Sequence, residues 1–237
     1  MAPGKRGRST KGGTAVVEHN ELENNGKAMR LDPAQVSNGG KRIIEVGEPY
    51  IAVFQITGTA PILLHGWNIE AVESKGNAAK GSKAKKTDDI ESYIFRDAHG
   101  HVGVPMHYIC SALSDAGRSM QDPRSPRKSF RDLLRAILIP MPTPDTVAPF
   151  LPKTKQWEFV HRGRVVVQRA AITRSRPAFQ AGWRIGFEVM VNAPEYLAPT
   201  SLQELINKCG RLNGFCDGRP SYGRFVLSDF DTRKLED

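Results

Sequence analysis

Two apolar stripes at helical spacing, each set between runs of strand character, constrain what this chain can fold into more than any other feature. The sharper stripe is Leu202, Leu205, Ile206, Cys209 and Leu212, which recur at three- and four-residue intervals up to Asn213-Gly214; Ser201 with Glu204 makes an S-x-x-E capping box at its start. The other follows Pro105, whose fixed φ suits a first helical turn, and passes through Met106, Ile109, Cys110 and Leu113 to Gly117. Strand signals surround both. YIAVFQIT, residues 50 to 57, is rich in β-branched and aromatic residues, is closed by Gly58 and is continued by APILLHGW. YIFRD and HVGV flank Ala98-His99-Gly100 as a hairpin around a glycine-containing turn. The run LLRAILIPMP predicts another strand, stopped by Pro140, Pro142, Pro144 and Pro149; residues 164 to 173 and 183 to 191 predict two more, separated by RSRPAFQAG; RFVLSDF alternates as a last one.

The resulting order is strand, insertion, helix, strand, strand, helix, strand. The expected class is therefore α+β: a ferredoxin-like antiparallel sheet with two helices, an inserted hairpin and basic loops. Residues 1–42, rich in Gly, Lys, Asn and Ser, predict a disordered basic arm carrying Lys5, Arg6, Arg8 and Lys11. Residues 43–237 predict a single domain, with a Lys-rich loop at 74–88 and an Arg-rich loop at 118–131 as insertions. Of the 237 residues 39% are hydrophobic, enough to bury a core. Lys and Arg number 34 against 25 Asp and Glu, a formal charge of +9, which makes a polyanion the first partner to consider. Cys110, Cys209 and Cys216 are odd in number and lack CxxC spacing, so neither a disulfide framework nor a zinc site is indicated. No apolar leader opens the sequence and no apolar run reaches spanning length; a cytoplasmic protein without a membrane partner is expected.

The segment CGRLNGFCDGRPSYGRF, residues 209 to 225, interleaves four glycines with Arg211, Arg219 and Arg224. Glycines let a backbone approach a phosphodiester and turn its N–H groups outward, and arginines hold phosphates bidentately or stack on bases. It is neither a Walker motif, which needs a lysine and a hydroxyl after the glycines, nor a dinucleotide fingerprint, because here the glycines follow a helix and precede a strand. A tight helix-to-strand connection accounts for Gly214 but leaves the arginines unexplained. The pairing of ITGTAPILLHGW with GRPSYGRFVLSDF resembles the RAMP superfamily, whose RRM-like proteins end in a glycine-rich loop before their last strand and include the backbone subunits of CRISPR effector complexes. Small phage and prophage proteins of unassigned function are a closer resemblance. They share an early TGT-P-LLMH-like segment, a G-[VI]-P before a helix and a late SFGRF-like segment, here residues 57 to 65, Gly103-Val104-Pro105, and Ser221-Tyr222-Gly223-Arg224-Phe225.

The resemblance implies an RRM/RAMP-type fold, single-stranded DNA or RNA as partner, and a homo-oligomer or filament along the strand in a bacterial or phage-infected cell. The expected function is sequence-tolerant binding without catalysis, with no cofactor and no metal. The cations expected to grip the strand are Lys80, Lys83, Lys85 and Lys86 in one loop, Arg118, Arg124, Arg127 and Lys128 in the other, Arg164, Arg174 and Arg176 on and after a strand, and Arg211, Arg219 and Arg224 beside the glycines. Arg164 and Arg174 are expected on one strand face and Arg169 on the other. Trp67, Trp157, Phe179 and Tyr222 form the pool for base stacking, with Trp67 and Tyr222 among the site residues; Phe54 and Trp183 are expected in the core. Two alternatives stand beside this one: a metal-independent endoribonuclease using His65 or His161 as acid or base, and a phage structural or assembly protein whose basic arm neutralises packaged nucleic acid.

Overall fold

In the computed structural model, which describes residues 47–67, 69–77, 79, 89–167 and 170–235, the run YIAVFQIT becomes β1 (Tyr50–Gly58). Its side chains alternate between faces with period two. Ala52, Phe54 and Ile56 point into the core opposite Val189, Phe187 and Ile185 of β11 (Arg184–Val191). On its other side β1 pairs with β12 (Phe225–Lys234), so the Phe54 ring sits between Phe187 and Phe230, at centroid distances of 5.9 and 6.4 Å. The main sheet continues from β11 to β8 (Val147–Leu151), β4 (Val102–Pro105) and β3 (Phe95–Arg96), and β7 (Leu138–Met141) also pairs with β11. Every pairing in it is antiparallel.

Four α-helices are described: α1 (Ile69–Asn77), α2 (His107–Ala116), α3 (Arg131–Ile137) and α4 (Pro199–Lys208), the last extended by a π turn over Cys209–Asn213. Ile109 and Leu113 of α2, Leu133, Leu134 and Ile137 of α3, and Leu202, Leu205 and Ile206 of α4 all enter one core with the inward residues of β1 and β11. The class is α+β with antiparallel sheets. Between β1 and β7 the chain passes through α2 and α3; between β11 and β12 it passes through α4; and four strands of the main sheet stand in the order β12, β1, β11, β7.

A second sheet holds β2 (Ile62–Leu63), β10 (Ala170–Phe179) and β9 (Phe159–Val167). APILLHGW therefore does not prolong β1. Pro61 separates the two, and β2 pairs with Ala178 and Phe179 of β10 instead. The strands expected at residues 164 to 173 and 183 to 191 resolve into the far end of the β9–β10 hairpin and β11, because the chain reverses inside the first of those windows. That reversal also corrects the expected faces. Register pairs Arg164 with Thr173 and Arg174 with Gly163, so Arg164 and Arg174 lie on opposite faces of the hairpin; Arg169 lies outside the described residues.

Other expectations fail for local reasons. LLRAILIPMP is α3 followed by β7, since Leu133, Leu134 and Ile137 are spaced to bury one helical side before the chain straightens at Leu138. The Arg-rich loop at 118–131 contains a small hairpin, β5 (Gln121–Asp122) with β6 (Ser125–Ser129). The α4 start lies at Pro199 after an extended Ala198, which puts Ser201 inside the helix, and no side chain caps it. Leu212, assigned to the buried stripe, is half exposed because the π turn rotates it outward. The loop expected at 74–88 begins within α1, and Lys80, Lys83, Lys85 and Lys86, like the arm over 1–42, lie outside the described residues.

The β3–β4 hairpin turns on Asp97. One of its carboxylate oxygens accepts the His99 and His101 N–H groups at 2.9 and 2.8 Å, and the other meets His101 Nδ1 at 2.9 Å. Burial raises its pKa, but the His101 side chain and the two amides outweigh that and hold it at about 2. A depressed carboxylate pKa gives stability that is full above the unfolded value of about 3.9 and is lost as the pH falls through the folded one. Asp97→Ala is expected to melt below the wild type at neutral pH, with a gap that closes as the pH drops toward 2. Thermal melts showing the same gap throughout would contradict this origin.

Candidate functional site

The π turn after α4 delivers the chain into a loop of main-chain bends, Gly214 at φ 74°, Cys216 at 60°, Gly218 at 71° and Gly223 at 68°. At Gly223 no other residue fits, since an added Cβ would lie 1.9 Å from the Phe215 carbonyl oxygen at a left-handed φ. The loop closes on itself where Phe215 N–H donates to Gly223 O at 2.8 Å. It then fastens to the segment after β1: Gly223 N–H donates to Pro61 O at 2.8 Å, Asp217 N–H to Leu63 O at 3.1 Å, and Thr59 N–H to Arg224 O at 2.8 Å. The two sequence stretches that carry the family resemblance are thus one hydrogen-bonded unit.

This unit faces α2 and the near end of the β9–β10 hairpin, and charge converges there. Asp115 of α2 receives three guanidinium groups: Arg118 and Arg131 at 3.3 Å each and Arg219 of the loop at 3.6 Å. Arg176 of β10 pairs with Asp217 of the loop. Four arginines against two carboxylates leave a net positive centre. Arg118 is the most exposed of them, with 61% of its side chain open to solvent, and Arg219 follows at 39%. On the same hairpin face as Arg176, His161 Nε2 lies 3.0 Å from the Tyr222 hydroxyl.

Beside the cluster lies a cavity of about 310 Å³ lined by His65, His107, Tyr108, Ser111, Cys216 and Arg219. His107 donates Nδ1–H to the Pro144 carbonyl at 2.9 Å, which leaves Nε2 as an acceptor in the neutral ring. Burial pushes the Cys216 thiol far above the usual range, with Arg219 opposing and Asp217 adding to the shift, so at neutral pH the sulfur is protonated. Burial likewise raises the Tyr108 hydroxyl. Among the described residues no group of three or more His, Cys, Asp or Glu side chains is placed to hold a metal ion, and no helix is long and apolar enough to cross a membrane.

The residues singled out from sequence divide among several places. Arg118, Arg176, Arg219 and Tyr222 join the centre just described, and Arg174 shares the hairpin face of Arg176. Arg211 and Arg224 line a separate cavity of about 630 Å³ with Asn207 and Lys208, where the Arg224 guanidinium donates to the Arg211 carbonyl. Arg124 is held elsewhere: it donates to both oxygens of the buried Asp122 at 3.1 and 2.9 Å and lies 5.9 Å over the Tyr196 ring, while Arg127 and Lys128 stand exposed on β6. Arg164 occupies the opposite hairpin face. Of the stacking pool, Phe179 is buried against Phe150 with centroids 4.1 Å apart, Trp157 packs against the core, and Trp67 is 70% exposed. His65 lines the cavity and its ring lies 4.5 Å from that of Tyr93, whereas His161 is engaged with Tyr222. Sequence reasoning missed Asp115 and Ser111, polar positions of a helix judged only by its apolar stripe; Arg131, inside the Arg-rich loop expected at 118–131, and His107, one of several histidines weighed for nuclease chemistry, were not among the expected site residues.

No family model matches this chain, and no curated protein matches it. Among solved structures 87 chains match. One belongs to the type III-B Cmr-beta complex bound to cognate target RNA: identity is 10%, the match covers 79% of this chain and 61% of that one, and the TM-score is 0.39. This chain therefore spans less than two thirds of that neighbour's length.

Asp115 is the counter-charge on which the arginine centre rests. Asp115→Asn is expected to lower stability by ~1–3 kcal/mol at low salt, through repulsion among guanidiniums that lose their shared partner. The deficit should shrink in about 1 M salt, where the screening length falls to about 3 Å. Melting curves with the same deficit at both ionic strengths would show that the carboxylate acts by packing alone.

Proposed function

We propose that this protein is a sequence-tolerant single-stranded nucleic-acid-binding protein on a ferredoxin-like, RAMP-type fold, assembling along the strand as a homo-oligomer and working by binding rather than catalysis. The observation that carries the proposal is the convergence of Arg118, Arg131 and Arg219 on the single carboxylate of Asp115, beside a loop whose backbone is held open by left-handed bends. Guanidiniums fixed by a shared partner are aimed before a phosphate arrives, and the charge they hold in excess attracts the strand. The ferredoxin-like assignment is supported by the antiparallel order β12, β1, β11, β7 with helical crossovers after β1 and after β11. The RAMP-type assignment is supported by the union of the early TGTAPILLH and late SYGRF segments in one hydrogen-bonded unit. Exposed Trp67, close in sequence to the cavity residue His65, supplies a face on which a base stacks.

One observation favours an endoribonuclease instead. His65 and His107 line the same cavity as Arg219, the placement a general acid or base beside a phosphate would need. The two readings separate in one experiment on protein freed of nucleic acid: fluorescence anisotropy with labelled single-stranded DNA, single-stranded RNA and duplex DNA over a salt series, followed by analysis of the recovered RNA. Binding is expected to favour single strands and to fall steeply between about 50 mM and about 200 mM salt. Arg219→Ala should weaken it about tenfold and reduce the salt slope by about one. Absence of binding to any of the three at low salt would overturn the proposal, and metal-independent cleavage abolished by His65→Ala would replace it with the nuclease.

A further inference from the structure

The cavity beside the arginine centre has a lining of mixed chemistry. It includes Arg219, whose guanidinium also belongs to the group around Asp115. With it stand the Ser111 and Tyr108 hydroxyls, the Cys216 thiol, which burial keeps protonated, and the rings of His65 and His107, the latter bonded through Nδ1 to the Pro144 carbonyl. Asp217 also borders the cavity, but its carboxylate is taken by Arg176, so it presents little free negative charge to a ligand. The His107 and Tyr108 rings meet edge to face at 4.9 Å and 72°, which gives the wall an aromatic character.

A volume of about 310 Å³ lies at the lower end of the range of about 300–1,000 Å³ that holds small ligands. It suits one flat heterocycle with its sugar. Hydroxyl, thiol and imidazole groups beside an aromatic wall match the edge and face of a base, and a guanidinium matches the phosphate attached to it. Neither inorganic phosphate nor an apolar molecule would use both kinds of group.

We propose that this cavity is a nucleotide subsite, receiving one unstacked base against His107, Tyr108, Ser111 and Cys216 while its phosphate rests on Arg219 and Arg118. The proposal rests on the nucleic-acid reading above for the source of the nucleotide, and it adds that the strand is held at one point by a base as well as by its backbone. A base turned out of the stack at a fixed place sets a register along a strand whose phosphates offer none. The rest of the sequence along the strand stays unread, which keeps the binding tolerant. The loop's main-chain ties to Pro61 and Leu63 keep Cys216 and Arg219 in place whether or not a strand is bound.

The test compares AMP, UMP, ribose 5-phosphate and inorganic phosphate by calorimetry at low salt, and then a twelve-nucleotide single strand, each with wild type and with Ser111→Trp. Ser111 is exposed on α2, so the larger side chain is expected to fill the cavity without entering the core; circular dichroism checks the fold, and Arg219→Gln serves as a second variant. The nucleotides are expected to bind about tenfold more tightly than ribose 5-phosphate, the worth of one base contact. Ser111→Trp should remove that difference, leave phosphate affinity in place and weaken the single strand by a similar factor. Arg219→Gln should weaken nucleotide and ribose 5-phosphate alike. Equal binding of nucleotide and ribose 5-phosphate, with a strand affinity untouched by Ser111→Trp, would overturn the subsite and leave the strand-binding reading intact. Tight nucleotide binding without any strand binding would keep the subsite, identify its ligand as a free nucleotide and remove the strand-binding reading.

Discussion

Everything at the candidate site depends on the main-chain hydrogen bonds that join the residues after β1 to the loop before β12. The first and last strands of the main sheet are neighbours, so the segments that leave one and enter the other run side by side, with Thr59, Pro61 and Leu63 bonded to Arg224, Gly223 and Asp217. These bonds use N–H and C=O groups alone. A loop fixed in this way has its shape set by backbone conformation, which is why left-handed residues recur in it.

A second constraint is electrostatic. Guanidiniums from the turn after α2, from the start of α3 and from the loop would repel one another if they met without a counter-ion, and Asp115 removes that obstacle from within the protein. The same carboxylate leaves positive charge in excess, since it neutralises only one of the three. The arginines supply the positive potential and a single acid orders them, and α2 positions that acid: its inward side carries Ile109 and Leu113 into the core, and Asp115 rises from a half-buried position on the same helix.

Much of the fold was legible because long periodic segments announce themselves. β1, α2, α4 and β12 were found where their apolar spacing put them, although Pro105, expected in the first turn of α2, ends β4 and Met106 stands at the helix N-cap; the helix-stopping role of Gly214 was readable from its place after the stripe. Short elements were not. α3 has seven residues and runs straight into β7, so its spacing could not be told from that of a buried strand. The β9–β10 hairpin turns inside a run of strand formers without an Asn-Gly or similar signal, which hid both the reversal and the separation of Arg164 from Arg174. At the site the arginines were visible as residues and invisible as a group. What gathers Arg118, Arg131 and Arg219 is one acid on a helix, and what orders Arg176 is an acid on a distant loop; neither contact leaves a trace in local sequence.

The sharing of Asp115 also bears on how this surface tolerates change over generations. Where one acid serves three bases, the effect of losing any base depends on whether the other two are still present, because the survivors draw closer to a partner they no longer divide. For stability, Arg118, Arg131 and Arg219 are therefore epistatic positions, each cheaper to lose while the acid and the other two remain. Asp115 has no such latitude, and a lineage that replaced it would have to shed arginines first.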